Sequence, residues 1–231
     1  DPQLFGPEFF SLGFPEAIDR DLLCDYQVVI VGVDHETYRN YAKNGEVVTA
    51  DGKETDARTL AAHIALAKAM KRYDLSRVIS FHSRVKRAKE FAADFPSVVK
   101  WLPGQARPKG EIWSEHISGK MTTDKRNVLL RTLRKLGAEE RGLLCNARCL
   151  TEGVDVPTLD GVAFVDPRRS QIDIVQAVGR AIRKADDKTV GTILIPVFIA
   201  SIEDPETELA TSEFERVWAV ISALRDHDDD L

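Results

Sequence analysis

Short apolar runs alternate with amphipathic stretches from Val28 to Phe198, and this alternation restricts the fold more than any other feature. The runs are Val28–Val33, Arg77–Phe81, Ile112–Ile117, Leu143–Cys145, Gly161–Val165 and Val190–Phe198. Each has the length and the Val, Ile, Leu or Phe content of a buried strand. Between them the spacing predicts helices from Thr55 or Asp56 to about Tyr73, over Arg84–Asp94, from Thr122, Thr123 or Asp124 to Leu136, and from Ser170 or Asp173 to Arg183. A short helix within Pro15–Leu23 precedes the first strand, and one from Ser212 or Glu213 to Leu224 follows the last. Strands alternating with helices imply an α/β fold with a doubly wound, mostly parallel sheet and helices on both faces. Asn44-Gly45 and Asp51-Gly52 are hairpin-turn signals flanking Glu46–Ala50, so a small β-hairpin excursion is expected at 34–56.

The helical stretches carry apolar stripes. Leu60, Ile64, Ala67 and Met70 or Lys71 share one face, where His63 reads as a satisfied helix residue rather than a ligand. Val85, Ala88, Phe91 and Phe95 face inward in the next helix, with Lys86, Arg87 and Lys89 pointing away. Ser83 is placed to cap that helix. Leu129, Leu133 and Leu136 form a third stripe, ended by Gly137. Phe214, Val217, Trp218 and Ile221 form the last. Residues 96–110 hold Pro96, Pro103, Gly104, Pro108 and Gly110 and read as a long loop. Trp101 within it is suited to stacking on a base or to plugging a groove, the second being preferred.

The chemistry concentrates in Leu143–Lys184, LLCNARCLTEGVDVPTLDGVAFVDPRRSQIDIVQAVGRAIRK. Gln176, Arg180 and Arg183 are spaced at i, i+4 and i+7 and share one helix face. Gly179 leaves room beside Arg180, and two guanidiniums on one face form a permanently charged clamp suited to phosphate. In the loop Thr151–Pro157, Gly153 lets backbone approach a ligand and Asp155 offers a carboxylate to a ribose hydroxyl. Each motif alone reads equally as surface arginines or an ordinary turn. In this order, joined by a strand ending in Asp166-Pro167, they point to a nucleotide.

Thr-Glu-Gly-Val-Asp-Val-Pro (151–157) resembles motif V of superfamily 2 helicases, and Gln-Ala-Val-Gly-Arg-Ala-Ile-Arg (176–183) resembles their motif VI. FHSRVKRAKEFA (81–92) is similar to motif IV, and the Ser118-Gly119 turn to motif IVa. The phrasing is similar to that of the helicase-like ATPases of type I and type ISP restriction enzymes and related DNA translocases. The likeness covers most of the chain and is weakest in 34–56 and after Ile199. It implies the second RecA-like (helicase C-terminal) domain of a motor whose first domain lies upstream in the same polypeptide. It further implies that Arg180 and Arg183 are arginine fingers and that Gln176 sits near the γ-phosphate or attacking water. Gly153, Asp155 and Gly179 then bind ATP, while Ser83, Arg84, Ser118, Gly119, Asn146 and Thr151 grip nucleic acid, with double-stranded DNA the expected partner. Val175 and Ala177 stand where many relatives have Arg or His beside the Gln, which fits the translocase branch better than RNA-unwinding branches.

No P-loop is present in the sequence. Around Gly119-Lys120, Ser114 stands where the first Gly belongs and Met121 where Ser or Thr belongs. ATP and Mg²⁺ are therefore expected to be held mainly by the upstream domain, and the chain alone is expected to be inactive as an ATPase. No metal site is expected: Asp34-His35-Glu36 and the tail Asp226–Asp230 read as ordinary acidic segments, the tail solvated or cut into a longer helix.

Net charge is −5, which argues against nucleic acid until its distribution is considered. Lys68 to Lys135 carries 17 Lys and Arg against 6 Asp and Glu; the rest carries 15 against 31. A basic middle on an acidic chain is compatible with backbone-phosphate contact, though solvated helix faces would look the same. Cys24, Cys145 and Cys149 lack metal spacing and read as reduced thiols, in keeping with a cytoplasmic protein. No apolar run approaches the roughly 20 residues of a membrane span, so no membrane partner is expected. The chain starts at Asp1, which suggests an excised fragment. The expected organisation is a linker at 1–27, the RecA-like domain at 28–199, and a C-terminal helix with acidic tail at 200–231. The alternative function is a non-catalytic helicase-like module that binds nucleic acid or protein.

Overall fold

The computed structural model describes residues 12–34, 57–147, 159–166, 171–185, 188–199, 212–225 and 228. The elements are α1 (Phe14–Asp19), β1 (Asp25–Asp34), α2 (Ala57–Arg72), β2 (Arg77–Phe81), α3 (Val85–Trp101), β3 (Glu111–Ser118), α4 (Thr123–Arg134), β4 (Glu140–Ala147), β5 (Gly161–Phe164), α5 (Gln171–Ala181), β6 (Val190–Ile199) and α6 (Ser212–Arg225). The expected hairpin at 34–56, the loop Thr151–Pro157 and Cys149 lie outside the described residues.

Six strands form one sheet in the order β1-β6-β5-β2-β4-β3, and every pairing is parallel. Parallel strands need crossovers, and helices supply them on both faces. Alternation within the strands divides the core. Ile79, Leu144, Val162, Phe164, Ile193 and Ile195 point to one face and pack with α1, α4, α5 and α6. Val78, Leu143, Cys145, Ala163 and Leu194 point to the other, under α2 and α3. Because successive side chains go to opposite faces, the central strands are apolar throughout, which made them legible as short runs. Burial pushes the Cys145 thiol up to about 12, so it behaves as a small hydrophobe.

Several local expectations change. α3 does not stop before Pro96 but runs through it to Trp101. Proline inside a helix costs about 3 kcal/mol. Phe95, Val98, Val99 and Leu102 are all buried in the second core, and at about 1.5–3 kcal/mol each they outweigh that cost. Trp101 packs against the same core, so it fills the fold. α4 starts on Thr122, whose hydroxyl accepts from the Lys125 N–H. It ends three residues before Gly137, where the Arg77 guanidinium donates to Leu133 O and Leu136 O at 3.1 and 2.6 Å. α2 is buried around most of its circumference, and His63 stacks on Phe91 at 3.7 Å while its Nε2 meets Phe91 O at 3.1 Å. In α6 the buried stripe is Val217, Val220, Ala223 and Leu224, and Trp218 points outward. The tail is not wholly solvated, since Asp228 is buried and accepts from the Tyr26 hydroxyl.

Candidate nucleic-acid and nucleotide surfaces

The sheet order gathers three sequence-distant segments at one corner. β4 lies between β2 and β3, with Phe81 opposite Asn146 and Ser118 opposite Ala147. The C-terminal ends of these strands therefore bring Ser83, Arg84, Ser118, Gly119 and Asn146 together. They divide by exposure. Ser83, Arg84 and Gly119 are exposed, whereas Ser118 and Asn146 are buried. The Asn146 carbonyl accepts from the His82 N–H at 2.9 Å, so its backbone ties the β2 exit to β4. Asn146 and Ser118 thus lie beneath the corner rather than on its outer surface.

Ser83 does not cap α3. The cap position is Arg84, which makes no side-chain cap bond. Ser83 is instead held by Asp166, just past β5: its N–H and its hydroxyl both donate to Asp166 Oδ2 at 3.0 Å. The Arg87 guanidinium reaches Oδ1 of the same carboxylate at 2.9 Å, so Arg87 turns toward the corner rather than away. The Asp166 N–H in turn donates to Phe81 O at 3.1 Å. A fully buried carboxylate is costly unless each oxygen is bonded, and here each is. Sequence reasoning took Asp166 only as the end of a strand. The available signal was a carboxylate closing an apolar buried run.

His82 lies behind this network, buried, 2.9 Å from the Ser80 hydroxyl and tilted against Phe91. Desolvation pushes its pKa down to about 3, against the pull of Asp166. It is neutral at physiological pH and structural.

The second group sits elsewhere. Gln176 is exposed on α5, and Gly179 and Arg180 are half-buried. Arg183 lies two residues past the last helical residue, so the single helix face expected for 176, 180 and 183 holds only for the first two. Arg183 instead forms an antiparallel bridge with Leu23. The Cys24 N–H donates to Ile182 O at 2.8 Å, immediately before β1. A Cβ on Gly191, the second residue of β6, would come within 2.6 Å of Ala181 O. The end of α5 is thus at the strand N-terminal edge, opposite the Ser83 corner. The expectation that all motifs sit at the strand C-terminal ends holds for one group and not for the other.

Lys188 was not singled out from sequence. Its ammonium donates to Ala181 O and to Arg183 O, the second at 3.0 Å. A cation on the last carbonyls of a helix satisfies groups the helix leaves open and complements its dipole. Burial draws the Lys188 pKa below its usual range.

Gly179 lies on the open side of α5 as far as the described residues go. A Cβ there would meet nothing within 4 Å among the described residues. Glycine inside a helix costs about 1 kcal/mol relative to alanine, and packing within the described chain gives no return for it. Among the described residues no group of three His, Cys, Asp or Glu could hold a metal ion, and no helix is long and apolar enough to cross a membrane. Gly153, Asp155 and Thr151 lie outside the described residues.

An all-parallel six-stranded sheet in this order, with helices on both faces, defines the class: a RecA-like helicase C-terminal fold. Residues 61–185, more than half of the chain, match the helicase conserved C-terminal domain, and the chain belongs to that family. Among solved structures, an ATP-dependent type ISP restriction-modification enzyme, LlaBIII, bound to DNA, is 33% identical with a TM-score of 0.88 over 99% of this chain and 16% of its own. A fragment of a putative HsdR subunit of a type I restriction enzyme from Vibrio vulnificus YJ016 shares the fold, at TM-score 0.57 and 21% identity over 93% of this chain and 39% of its own. A probable helicase, A859L, of African swine fever virus (isolate Tick/South Africa/Pretoriuskop Pr4/1996) is 25% identical over 200 residues, 84% of this chain and 20% of the relative. The chain spans about a fifth of the length of the curated relatives it matches.

Proposed function

We propose that this chain is the second motor domain of an ATP-dependent DNA translocase. ATP lies between it and an upstream RecA-like domain of the same polypeptide, which holds most of the Mg²⁺ and phosphate contacts. The parent protein is cytoplasmic, residues 1–27 link the two motor domains, and this chain alone does not turn over ATP. Gly179 carries the reading: a helix tolerates an unfavourable residue beside Arg180 and leaves that side open. A guanidinium there donates to phosphate oxygens, where charge builds during transfer. Removing such a donor costs about 10³–10⁵ in rate, or roughly 4–7 kcal/mol. Gln176, exposed on the same helix, orients water or the γ-phosphate, with Gly153 and Asp155 at the ribose. The Ser83 corner, with Arg84 and Gly119 and backed by Ser118 and Asn146, grips the backbone of double-stranded DNA, a role we assign to Thr151 as well. Because the two groups lie at opposite edges of the sheet, one rigid domain connects nucleotide to DNA, and closure on ATP moves the DNA contact.

The test is DNA-stimulated ATP turnover by the full-length parent protein, wild type against Arg183→Ala. Loss of several hundred-fold or more, with nucleotide still bound, supports the motor. Turnover that is unchanged, or absent from the wild type, leaves a non-catalytic binding module as the better account.

A further inference from the structure

The backbone that carries Arg183 is gripped from two sides. On one side stands the segment before β1: Leu23 bridges Arg183, and the Cys24 N–H donates to Ile182 O at 2.8 Å. On the other stands Lys188, whose ammonium donates to Ala181 O and Arg183 O. Lys188 is itself folded back onto this site, because its N–H donates to Ala185 O at 3.0 Å in a second antiparallel bridge. Gly191 lets β6 come up against Ala181 O from beneath. The exposed pair of Lys184 with Asp21 adds little, since such pairs contribute under about 1 kcal/mol. The Lys188 ammonium is different: it is half-buried and shared between two carbonyls, so its bonds belong to the stronger charge-assisted class.

We infer that Lys188 is a positioning residue for Arg183, closing with Leu23 and Cys24 a clamp that fixes where the arginine stands relative to the segment entering the domain. The inference rests on the motor reading above. It adds that the entering segment and the arginine move as one piece, because the Cys24 N–H bonds to Ile182 O and Leu23 pairs with Arg183. A displacement of that segment is carried to the guanidinium without passing through the sheet.

The test uses the full-length parent protein with Lys188→Met and Lys188→Gln, read by steady-state ATP turnover, by DNA affinity, and by hydrogen–deuterium exchange. Lys188→Met is expected to raise exchange in peptides spanning 22–25 and 180–185, leave exchange in β2 and β4 unchanged, and lower kcat by about 10- to 100-fold while DNA affinity stays within about twofold. Lys188→Gln keeps an uncharged N–H donor group and is expected to recover part of both losses; if the Met variant does not fold, the Gln variant is read against wild type in its place. Unchanged exchange at 180–185 overturns the clamp, and so does a parallel fall in kcat and DNA affinity. A wild type without stimulated turnover sinks the motor reading alone, and the exchange arm still decides the clamp.

Discussion

The Ser83 hydroxyl donates to Asp166 Oδ2 at 3.0 Å, joining residues 83 positions apart. One buried carboxylate thereby sets the conformation of the β2 exit, because it also takes the Ser83 N–H and the Arg87 guanidinium. The acid does not reach solvent; it fixes the residues that do.

Removing that carboxylate uncouples the corner. Asp166→Ala removes the acceptor of the Ser83 N–H and hydroxyl, at roughly 0.5–1.5 kcal/mol for each bond; Ser83 and Arg87 are both exposed and recover water. Urea unfolding is expected to show a loss of about 2 kcal/mol, and fluorescence anisotropy a weaker grip on a DNA duplex. Asp166→Asn keeps acceptor and shape and is expected to lose less in both. Equal stability of wild type and Asp166→Ala contradicts the network.

His82 gives the fold an acid-sensitive element. Its folded pKa is about 3, depressed by burial, against roughly 6.5 in the unfolded chain. Between these values the unfolded state binds the extra proton, so stability rises with pH. It is complete above about pH 6.5 and is lost as pH falls toward 3, at up to about 1.4 kcal/mol per unit. Urea titrations at pH 7, 6, 5 and 4 are expected to show a steeper decline for wild type than for His82→Gln, which has no ring to protonate. Parallel declines remove the histidine from the account.

Gly179→Ala separates folding from function. With open space around the position among the described residues, alanine is expected to stabilise α5 by about 0.5–1 kcal/mol, seen as a raised urea midpoint. The same substitution is expected to weaken ATP turnover by the parent protein, because the methyl group projects into the approach to Arg180. A variant both more stable and fully active shows that nothing approaches there.

What the sequence disclosed follows from range. Arg77–Phe81 was legible to the residue as β2, since a buried parallel strand is apolar on both sides and polar residues bound it. α4 was legible from its stripe and from its cap on Thr122. α3 beyond Pro96 was not, because a local breaker was outweighed by the burial of Phe95, Val98, Val99 and Leu102, which only the folded sheet supplies. In the candidate surfaces, the arrangement of the residues was not readable. Arg183 falls past the end of α5 because the chain turns there to meet Leu23, 160 positions earlier. Asp166 and Lys188 escaped notice for the same reason: their partners are set by strand order or by a fold-back of the chain, not by spacing. Asn146 and Ser118 show the converse, polar residues in a motif that turn inward.

Strand order has a further consequence during synthesis. β1 pairs with β6 over ten residues, Asp25 with Val190 through Asp34 with Ile199, and among the described strands β1 has no other neighbour. Val28–Val33 therefore leaves the ribosome about 160 residues before its partner exists, at roughly 5–20 residues per second an interval of about 8–30 seconds. During that time β2, β4 and β3 can assemble while an apolar, β-branched strand waits without a ladder. Nascent chains stalled before Val190 carry that strand as an open edge, the part most prone to pair with another chain. The sheet is finished last at its first strand.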